Sequence, residues 1–277
     1  MIRLALAIQT PEVPKIVPVA LLQGSFLEKL QKAAALGYDG VEIISTNPAE
    51  LDQQAIKNQI RAQGLRVSAI ASGGLGFASG LTLLNPDPNI AALAYRRLLE
   101  LIDFAHFLET DIVTIGSFRG RAVGDKPTSL QQLGERLHSA CDYAAPRRVR
   151  LALEPLNRFE SDLLNNLSET LTFIRQIGHP SLGLLLDTFH VNIEESSWTQ
   201  PYHLALEAGR LFYAHLGDNN RHPPGQGLID FKAILTTLCE GSYQGWLSAE
   251  LLPLPDPDQA ARLTIEFMRP LIEELSC

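Results

Sequence analysis

The sequence predicts an α/β chain folded as one (β/α)8 TIM barrel, a single domain over residues 1–277. Short apolar segments of strand length alternate with longer segments of helical periodicity, and this alternation is typical of a parallel sheet covered by helices. The 277 residues divide into eight strand–helix units of about 35 residues each, a size that suits such a barrel. No linker, low-complexity tract or internal repeat interrupts the series.

Each predicted strand is a short, mostly apolar run bounded by loop residues. The predicted strands cover Ile2–Gln9, Val41–Ser45, Arg66–Ala71, Asp111–Gly116, Arg150–Glu154, Gly183–Asp187, Leu211–His215 and Gly245–Glu250. The predicted helices follow in alternation and cover Ser25–Leu36, Pro48–Gln63, Pro88–Leu108, Ser129–Ala145, Ser168–Ile177, Gln200–Glu207, Phe231–Leu238 and Asp258–Leu275. The first helix has clear ends, because Ser25 and Glu28 form a capping-box pattern and Gly37 follows its last turn. The glycine-rich residues 73–80 are predicted to form a loop.

Composition limits the classes of partner. The chain carries 31 acidic and 23 basic residues, for a formal net charge of −8. Nucleic-acid-binding surfaces are usually basic, so we expect no nucleic-acid partner. No apolar run reaches about eighteen residues and the N-terminus lacks a signal-peptide pattern, so we expect no membrane partner. The three cysteines, Cys141, Cys239 and Cys277, are far apart and form no CxxC motif, which predicts reduced thiols in a cytoplasmic protein.

Four successive predicted strands end in side chains that can bind a metal. Residues 151–158 run from an apolar strand into a polar loop at Glu154, and a carboxylate is costly to bury there unless a partner or a metal compensates it. The next three strands end in Asp187, His215 and Glu250, at spacings of 33, 28 and 35 residues. A strand with its crossover helix needs about thirty residues. We therefore expect these four residues to meet at one end of the barrel and bind one divalent cation.

These strand ends offer oxygen and nitrogen ligands, a mixture that suits Mn²⁺, Mg²⁺, Co²⁺ or Zn²⁺. A carboxylate at one strand end is ordinarily a solvated or ion-paired loop residue, but this explanation is hard to extend to four successive strands. Further polar residues follow the four closely along the chain, namely Glu160, His190 and Arg221. The loop after the fourth strand carries Arg119 and Arg121, which are either solvated or available to an anionic ligand.

Several motifs resemble the xylose isomerase-like TIM barrel family, and more narrowly its ketose 3-epimerase branch of the D-tagatose and D-psicose 3-epimerase type. The motifs are Leu-Glu-Pro-Leu-Asn-Arg-Phe-Glu (153–160), Leu-Asp-Thr-Phe-His-Val-Asn-Ile-Glu-Glu (186–195), His-Leu-Gly-Asp-Asn-Asn-Arg (215–221), Pro-Gly-Gln-Gly (224–227) and Ser-Ala-Glu (248–250). The resemblance implies a metal site at the four strand ends, with Glu154 and Glu250 also transferring protons. It further implies substrate contacts from Glu160, His190 and Arg221.

The same resemblance implies an enzyme, a carbohydrate epimerase that inverts a carbon next to a ketone in a ketose or keto-sugar acid. The metal would stabilise the enediolate that forms when this carbon loses its proton. The two glutamates would then act as an acid–base pair on opposite faces of the substrate. Arg119 and Arg121 depart from the pattern expected for a neutral ketose and suit a sugar acid or a sugar phosphate. The expected partner is a small sugar or sugar acid, and the barrel could form a homo-oligomer.

Three other functions fit the same barrel. An aldose–ketose isomerase of sugars or sugar phosphates could use the same site, with one base on one face. An abasic-site DNA endonuclease shares the fold, but its extra histidines after strands three and four are replaced here by Ser72 and Gly116. The third alternative is a barrel that binds a sugar or inositol derivative without turnover.

Overall fold

Eight parallel strands close into a barrel in which each strand pairs with its sequence neighbours and the first pairs with the last. The computed structural model describes residues 2–275. Its strands are β1 (Arg3–Gln9), β2 (Gly40–Ile44), β3 (Arg66–Ala71), β4 (Ile112–Ile115), β5 (Arg150–Leu153), β6 (Leu182–Asp187), β7 (Leu211–Leu216) and β8 (Trp246–Ala249). The predicted (β/α)8 fold is confirmed, and every strand boundary lies within one residue of its predicted position.

Helices cover the outside of the barrel. They are α1 (Phe26–Leu36), α2 (Gln53–Ala62), α3 (Gly73–Ser79), α4 (Pro88–Phe107), α5 (Lys126–Ala144), α6 (Leu167–Ile177), α7 (Thr188–Glu194), α8 (Gln200–Glu207), α9 (Phe231–Glu240) and α10 (Pro257–Leu275). Eight of these correspond to predicted helices, and the capping box of Ser25 and Glu28 at the start of α1 is confirmed. The short helices α3 and α7 lie inside segments predicted as loops.

The prediction of a loop over residues 73–80 is wrong, because Gly73–Ser79 form helix α3. Close packing requires a glycine at one of these positions, Gly74. A Cβ atom on Gly74 would lie 2.8 Å from a methyl carbon of Ile44 in β2, so a larger residue would push the helix off the sheet. Gly80 then ends the helix in a left-handed conformation, with φ of 67°.

Strand side chains alternate between two apolar layers. Leu4 and Leu6 of β1 belong to the main core between the sheet and the helices. Ala5, between them, packs inside the barrel with Tyr213 of β7 and neighbouring apolar residues. Nearer the C-terminal ends of β1–β3, the interior is lined by a second apolar cluster that includes Ala7. Side chains at the C-terminal ends of β5–β8 are polar, and the candidate site lies there.

The cysteines differ from the sequence prediction. Cys141 is a buried free thiol, as expected. Cys239 is disulfide-bonded, so the prediction of reduced thiols is wrong at this position, and Cys277 lies outside the described residues. In the part of the chain that the structure describes, no helix is both long and apolar enough to cross a membrane.

We expect Gly40→Ala to destabilise the barrel, because strand packing leaves no room for a side chain at this position. A Cβ atom there would lie 2.4 Å from the main-chain oxygen of Arg66 and 2.8 Å from the indole ring of Trp246. The main-chain oxygen cannot move without disturbing β3, so the free energy of unfolding should fall by roughly 1–3 kcal/mol in chemical denaturation. Gly73→Ala is the control, since a Cβ on Gly73 would meet nothing within 4 Å. Equal losses in both variants would contradict this packing argument.

Candidate metal centre

Side chains from the ends of β5, β6, β7 and β8 meet at one point at the C-terminal end of the barrel. Glu154 directly follows β5, Asp187 ends β6, His215 lies in β7 and Glu250 directly follows β8. One potential ligand atom of each residue lies within 4.8 Å of the others. Asp187 and His215 face each other in the register of neighbouring strands, so strand pairing itself brings them together. The four residues singled out in the sequence thus form one cluster.

Three potential ligand atoms of this cluster are buried without a hydrogen-bond partner, namely Glu154 Oε1, Asp187 Oδ2 and His215 Nδ1. His215 Nδ1 lies 3.6 Å from Glu154 Oε1 and 3.5 Å from Glu250 Oε2. An unsatisfied buried polar atom costs about 1–3 kcal/mol, so three at one point require an explanation. A divalent cation would satisfy all three. Carboxylate oxygens with one imidazole nitrogen fit Mn²⁺, Mg²⁺, Co²⁺ or Zn²⁺.

The carboxylates of the cluster are difficult to ionise without a cation. Burial, opposed by Arg221 and supported by the charge of Glu154, raises the pKa of Asp187 to about 6. Burial also raises the pKa of Glu154 and of Glu250. Arg221 partly balances this charge, since its Nη2 lies 2.6 Å from Glu250 Oε2 and 3.4 Å from Asp187 Oδ2. Three carboxylates against one guanidinium leave an excess of negative charge that a divalent cation would offset.

His215 is surrounded by carboxylates on both sides of its ring. Burial alone lowers an imidazole pKa, but Glu42, Glu250 and Glu154 outweigh it and raise the pKa of His215 well above its ordinary value. Its Nε2 lies 3.1 and 3.0 Å from the two oxygens of Glu42, a buried residue of β2. Sequence reasoning missed Glu42. The signal was present, because a carboxylate inside an apolar strand is the same observation that identified Glu154.

His190 lies in helix α7 and not in a loop as predicted, and it is buried beside the cluster. Its Nε2 lies 3.7 Å from Glu154 Oε1 and 3.8 Å from Asp187 Oδ2. Its Nδ1 accepts a hydrogen bond from Asn157 Nδ2 at 2.8 Å. Burial, aided by the charge of Arg221, lowers the pKa of His190 well below its ordinary value. The ring is therefore neutral, and its remaining proton is on Nε2, facing the carboxylates.

Asn157 connects His190 to Glu160. The Asn157 side-chain nitrogen that donates to His190 also donates to Glu160 Oε1, at 2.9 Å. Glu160, one of the residues singled out in the sequence, is therefore linked to His190 beside the cluster through the side-chain amide of Asn157. Sequence reasoning assigned no role to Asn157, although this residue lies within one of the motifs that carry the family resemblance. An asparagine in a loop is common enough that its type alone gives no signal.

The two arginines after β4 have different environments. Arg119 is fully buried and donates to the main-chain oxygens of Glu154 at 2.7 Å and Leu163 at 2.8 Å. Its guanidinium therefore fastens the loops after β4 and β5 together and does not face a ligand space. Arg121 is exposed, donates to the main-chain oxygen of Glu160 at 2.8 Å, and lines a surface groove of about 600 Å³. Of the pair, Arg121 is the one that an entering ligand can reach.

Known proteins share both the family pattern and the fold of this chain. A family model described as xylose isomerase-like TIM barrel matches residues 30–271. The chain is 30% identical over 225 residues to an L-ribulose 3-epimerase of Methylomonas sp., which covers 79% of this chain and 75% of that protein. It is 27% identical over 271 residues to a 3-dehydro-D-guloside 4-epimerase of Escherichia coli, which covers 90% of this chain and 96% of that protein. A solved L-ribulose 3-epimerase has a TM-score of 0.81 at 26% identity, covering 100% of this chain and 96% of that one.

We expect metal affinity to weaken as the pH falls. In the metal-free protein the pKa of His215 is raised and that of Asp187 is about 6, so a cation must displace protons from its ligands at neutral and acid pH. The dissociation constant should rise about tenfold per pH unit for each displaced proton, most steeply below a pH of about 6. Calorimetric titration of chelator-stripped protein with Mn²⁺ at a series of pH values measures this effect.

His215→Ala serves as the reference variant for this titration. It removes the nitrogen ligand while the apolar barrel remains, so Mn²⁺ affinity should fall by at least about 10–100-fold. The variant leaves Glu42 buried without its partner, so in the metal-free state it should unfold at a lower temperature than the wild type and still be folded at the temperature of the titration. Wild-type metal content in this variant, or a wild-type affinity that does not change with pH, would show that these residues are not the ligands.

Proposed function

The chain belongs to the xylose isomerase-like TIM barrel family, and from this premise we propose a divalent-metal-dependent epimerase that inverts a carbon next to a ketone in a sugar or keto-sugar acid. The proposal rests on three buried, unpartnered ligand atoms, on Glu154, Asp187 and His215. The names of the two relatives describe one kind of chemistry, because C3 of a 2-ketose and C4 of a 3-dehydro sugar both adjoin a carbonyl. The chain is an enzyme of the carbohydrate epimerase class, and its metal and proton steps are the proposal.

Glu154, Asp187, His215 and Glu250 would hold the metal. When bound, a divalent cation supplies Lewis acidity to the ketone oxygen and the neighbouring hydroxyl, which acidifies the C–H next to the ketone. Asp187 and His215 serve as ligands in this scheme. The two glutamates have an additional capacity, because a carboxylate has two oxygens and can hold a cation with one while the other exchanges a proton with substrate.

Glu154 and Glu250 are the proposed proton-transfer pair. They extend from β5 and β8, which lie three strands apart around the ring, so they approach a central substrate from different sides. Burial raises the pKa of both carboxyls in the metal-free protein. The charge of a bound cation would lower both pKa values, so that either carboxylate could act as a base near neutral pH. One glutamate removes the proton from one face of the carbon. The other returns a proton to the opposite face, which inverts the configuration.

His190, Arg221 and Glu160 are the proposed contacts to substrate oxygens. Glu160 is linked to His190 through Asn157. The neutral His190 ring presents its Nε2 proton to the centre, where it can donate to a hydroxyl or carbonyl oxygen. Arg221 Nη1 is buried without a hydrogen-bond partner, although Nη2 of the same guanidinium is bound to Glu250. A buried donor with no acceptor is costly, and a substrate oxygen would satisfy it.

An aldose–ketose isomerase is the second candidate, since it would use the same metal and one base. The two relatives named above favour the epimerase, because both are epimerases. The two glutamates alone could serve either reaction as metal ligands. The endonuclease alternative finds less support. In residues 2–275 the structure contains one group of His, Asp and Glu residues able to hold a metal. Ser72, at the end of β3, uses its hydroxyl to donate to the main-chain oxygen of Thr114 and offers no further metal ligand.

Turnover in D2O separates the epimerase from the isomerase. The returning proton comes from a different glutamate than the one that removed the first, and both exchange with solvent, so the product should carry one deuterium on the inverted carbon. NMR of products from ketoses, keto-sugar acids and sugar phosphates would locate it. Deuterium at C1 or C2 of an aldose–ketose pair, with C3 untouched, would establish the isomerase instead.

The same reaction tests the two glutamates. Glu154→Gln and Glu250→Gln should each lower kcat by roughly 100-fold or more, in samples whose metal content has been matched to that of the wild type. Glu109→Gln is the control, because it removes an exposed carboxylate that precedes β4 at the opposite end of the barrel. Near-normal turnover in either active-site variant would remove that glutamate from the proton-transfer pair.

We expect Arg121 to bind an anionic group of the substrate. Its guanidinium lies in the groove beside Glu160, and arginine pairs well with a carboxylate or phosphate. Arg121→Gln should therefore raise KM for a sugar acid or sugar phosphate by about tenfold or more, with little effect on a neutral ketose. Arg158→Gln is the matched control, because it removes the same charge from a residue paired with Glu194. Equal KM changes for acidic and neutral substrates would contradict this role.

A further inference from the structure

We propose that Glu42 is a positioning residue for the metal centre, which orients His215 and determines which of its nitrogens is the ligand. This inference deepens the proposed function and depends on the metal site it contains. Glu42 comes from β2, on the part of the barrel that contributes none of the four candidate ligands. Its carboxylate is 1% exposed, and both its oxygens lie within 3.1 Å of His215 Nε2.

The geometry assigns one role to each ring nitrogen of His215. An Nε2 atom between two carboxylate oxygens carries a proton and donates it to Glu42. Nδ1 is then the nitrogen left to bind a cation. That atom is buried, has no hydrogen-bond partner, and lies 3.6 Å from Glu154 Oε1 and 3.5 Å from Glu250 Oε2. His215 Nδ1 therefore faces the other candidate ligands because Glu42 holds the opposite side of the ring.

Glu42 is itself fixed by groups that have no other part in the centre. The Tyr213 hydroxyl lies 3.4 Å from Glu42 Oε2 and 2.6 Å from the Ser68 hydroxyl. Tyr213 and His215 are two residues apart in β7, so both side chains point into the barrel and meet the same carboxylate. Inward-facing side chains from three strands, β2, β3 and β7, thus contribute to the orientation of the His215 imidazole.

A purely structural role makes a different prediction from a positioning role. If Glu42 only satisfied buried hydrogen bonds, its replacement would change folding stability and leave metal binding alone. If it positions His215, its loss lets the ring rotate or take the tautomer with a proton on Nδ1, which removes the lone pair from the centre. Partners that hold a metal-binding histidine in this way typically contribute about 10–100-fold to metal affinity.

The test is Mn²⁺ binding by calorimetry to the full-length, chelator-stripped protein, with thermal unfolding of each metal-free sample. Glu42→Gln and Glu42→Leu should both bind Mn²⁺ about 10–100-fold more weakly than the wild type. Removal of one member of a buried ion pair is destabilising, so the leucine variant should unfold at a lower temperature than the wild type. The glutamine variant keeps an acceptor for His215 Nε2 and should lose less. Both variants are titrated below their unfolding temperatures, so a loss of stability does not hide their Mn²⁺ affinity.

Glu12→Gln is the matched control. Glu12 Oε1 accepts hydrogen bonds from the Ser45 hydroxyl at 2.5 Å and the Thr46 amide at 3.1 Å, just after β2. Its replacement removes one carboxylate and several hydrogen bonds from the same part of the barrel without touching His215, so Mn²⁺ affinity should stay within about twofold of the wild type.

Two results would overturn the proposal. One is a Glu42 variant that binds Mn²⁺ as tightly as the Glu12 control, because the residue would then serve only the fold. The other is a wild-type protein that binds no divalent metal, which would remove the metal site as well. Metal binding is measured without substrate, so a failure to epimerise any tested sugar would count against the proposed reaction and leave this result unaffected.

Discussion

Three carboxylates and an imidazole buried around one point are the constraint on which the rest of this structure depends. Their charge requires a fixed cation nearby, and Arg221 supplies it at 2.6 Å from Glu250. Arg221 has a left-handed φ of 59°, which non-glycine residues adopt only at some cost. The surrounding loop holds it there, since Asp218 accepts hydrogen bonds from the amides of Gly225 and Gly227 and the Arg221 main-chain oxygen accepts one from Leu252. The long loop after β7 thus holds this guanidinium in place.

The scaffold holds at least two of the candidate ligands by one atom and leaves another atom free. Asp187 accepts the amide hydrogen of Phe189 through Oδ1, which caps helix α7, while Oδ2 has no hydrogen-bond partner. His215 is bound through Nε2 and leaves Nδ1 open. The position of Glu154 depends on the glycine that follows β4, because a Cβ on Gly116 would lie 2.4 Å from Glu154 Oε2. Such anchoring fixes the ligand atoms before any cation arrives, so less ordering remains to oppose binding.

The sequence predicted the last four strands and the ligands from one pattern, a short apolar run that ends in a metal-competent side chain. It could do so because strand direction alone places all such ends on the same face of a parallel barrel. The role of Arg119 could not be predicted, because its donors go to main-chain oxygens from a loop some forty residues away. Helix α7 was missed because seven residues are too few to show helical periodicity. Glu42 was missed for a different reason. A carboxylate inside an apolar strand is visible in the sequence, but only the strand ends were considered as ligand positions.

The mouth of the barrel is divided into a polar and an apolar side. All four candidate ligands extend from β5–β8. Near the C-terminal ends of β1–β3 the interior is lined by Ala7, Ile44 and Ala71, which pack with Val13 and Val17 of the loop after β1. An apolar wall offers no competing ligand and excludes water, so charges on the polar side interact more strongly than they would in solvent. A sugar held by its oxygens on the polar side would turn a carbon face toward this wall. Glu42 is an exception within the apolar half, and its contact with His215 is the route by which that half influences the metal centre.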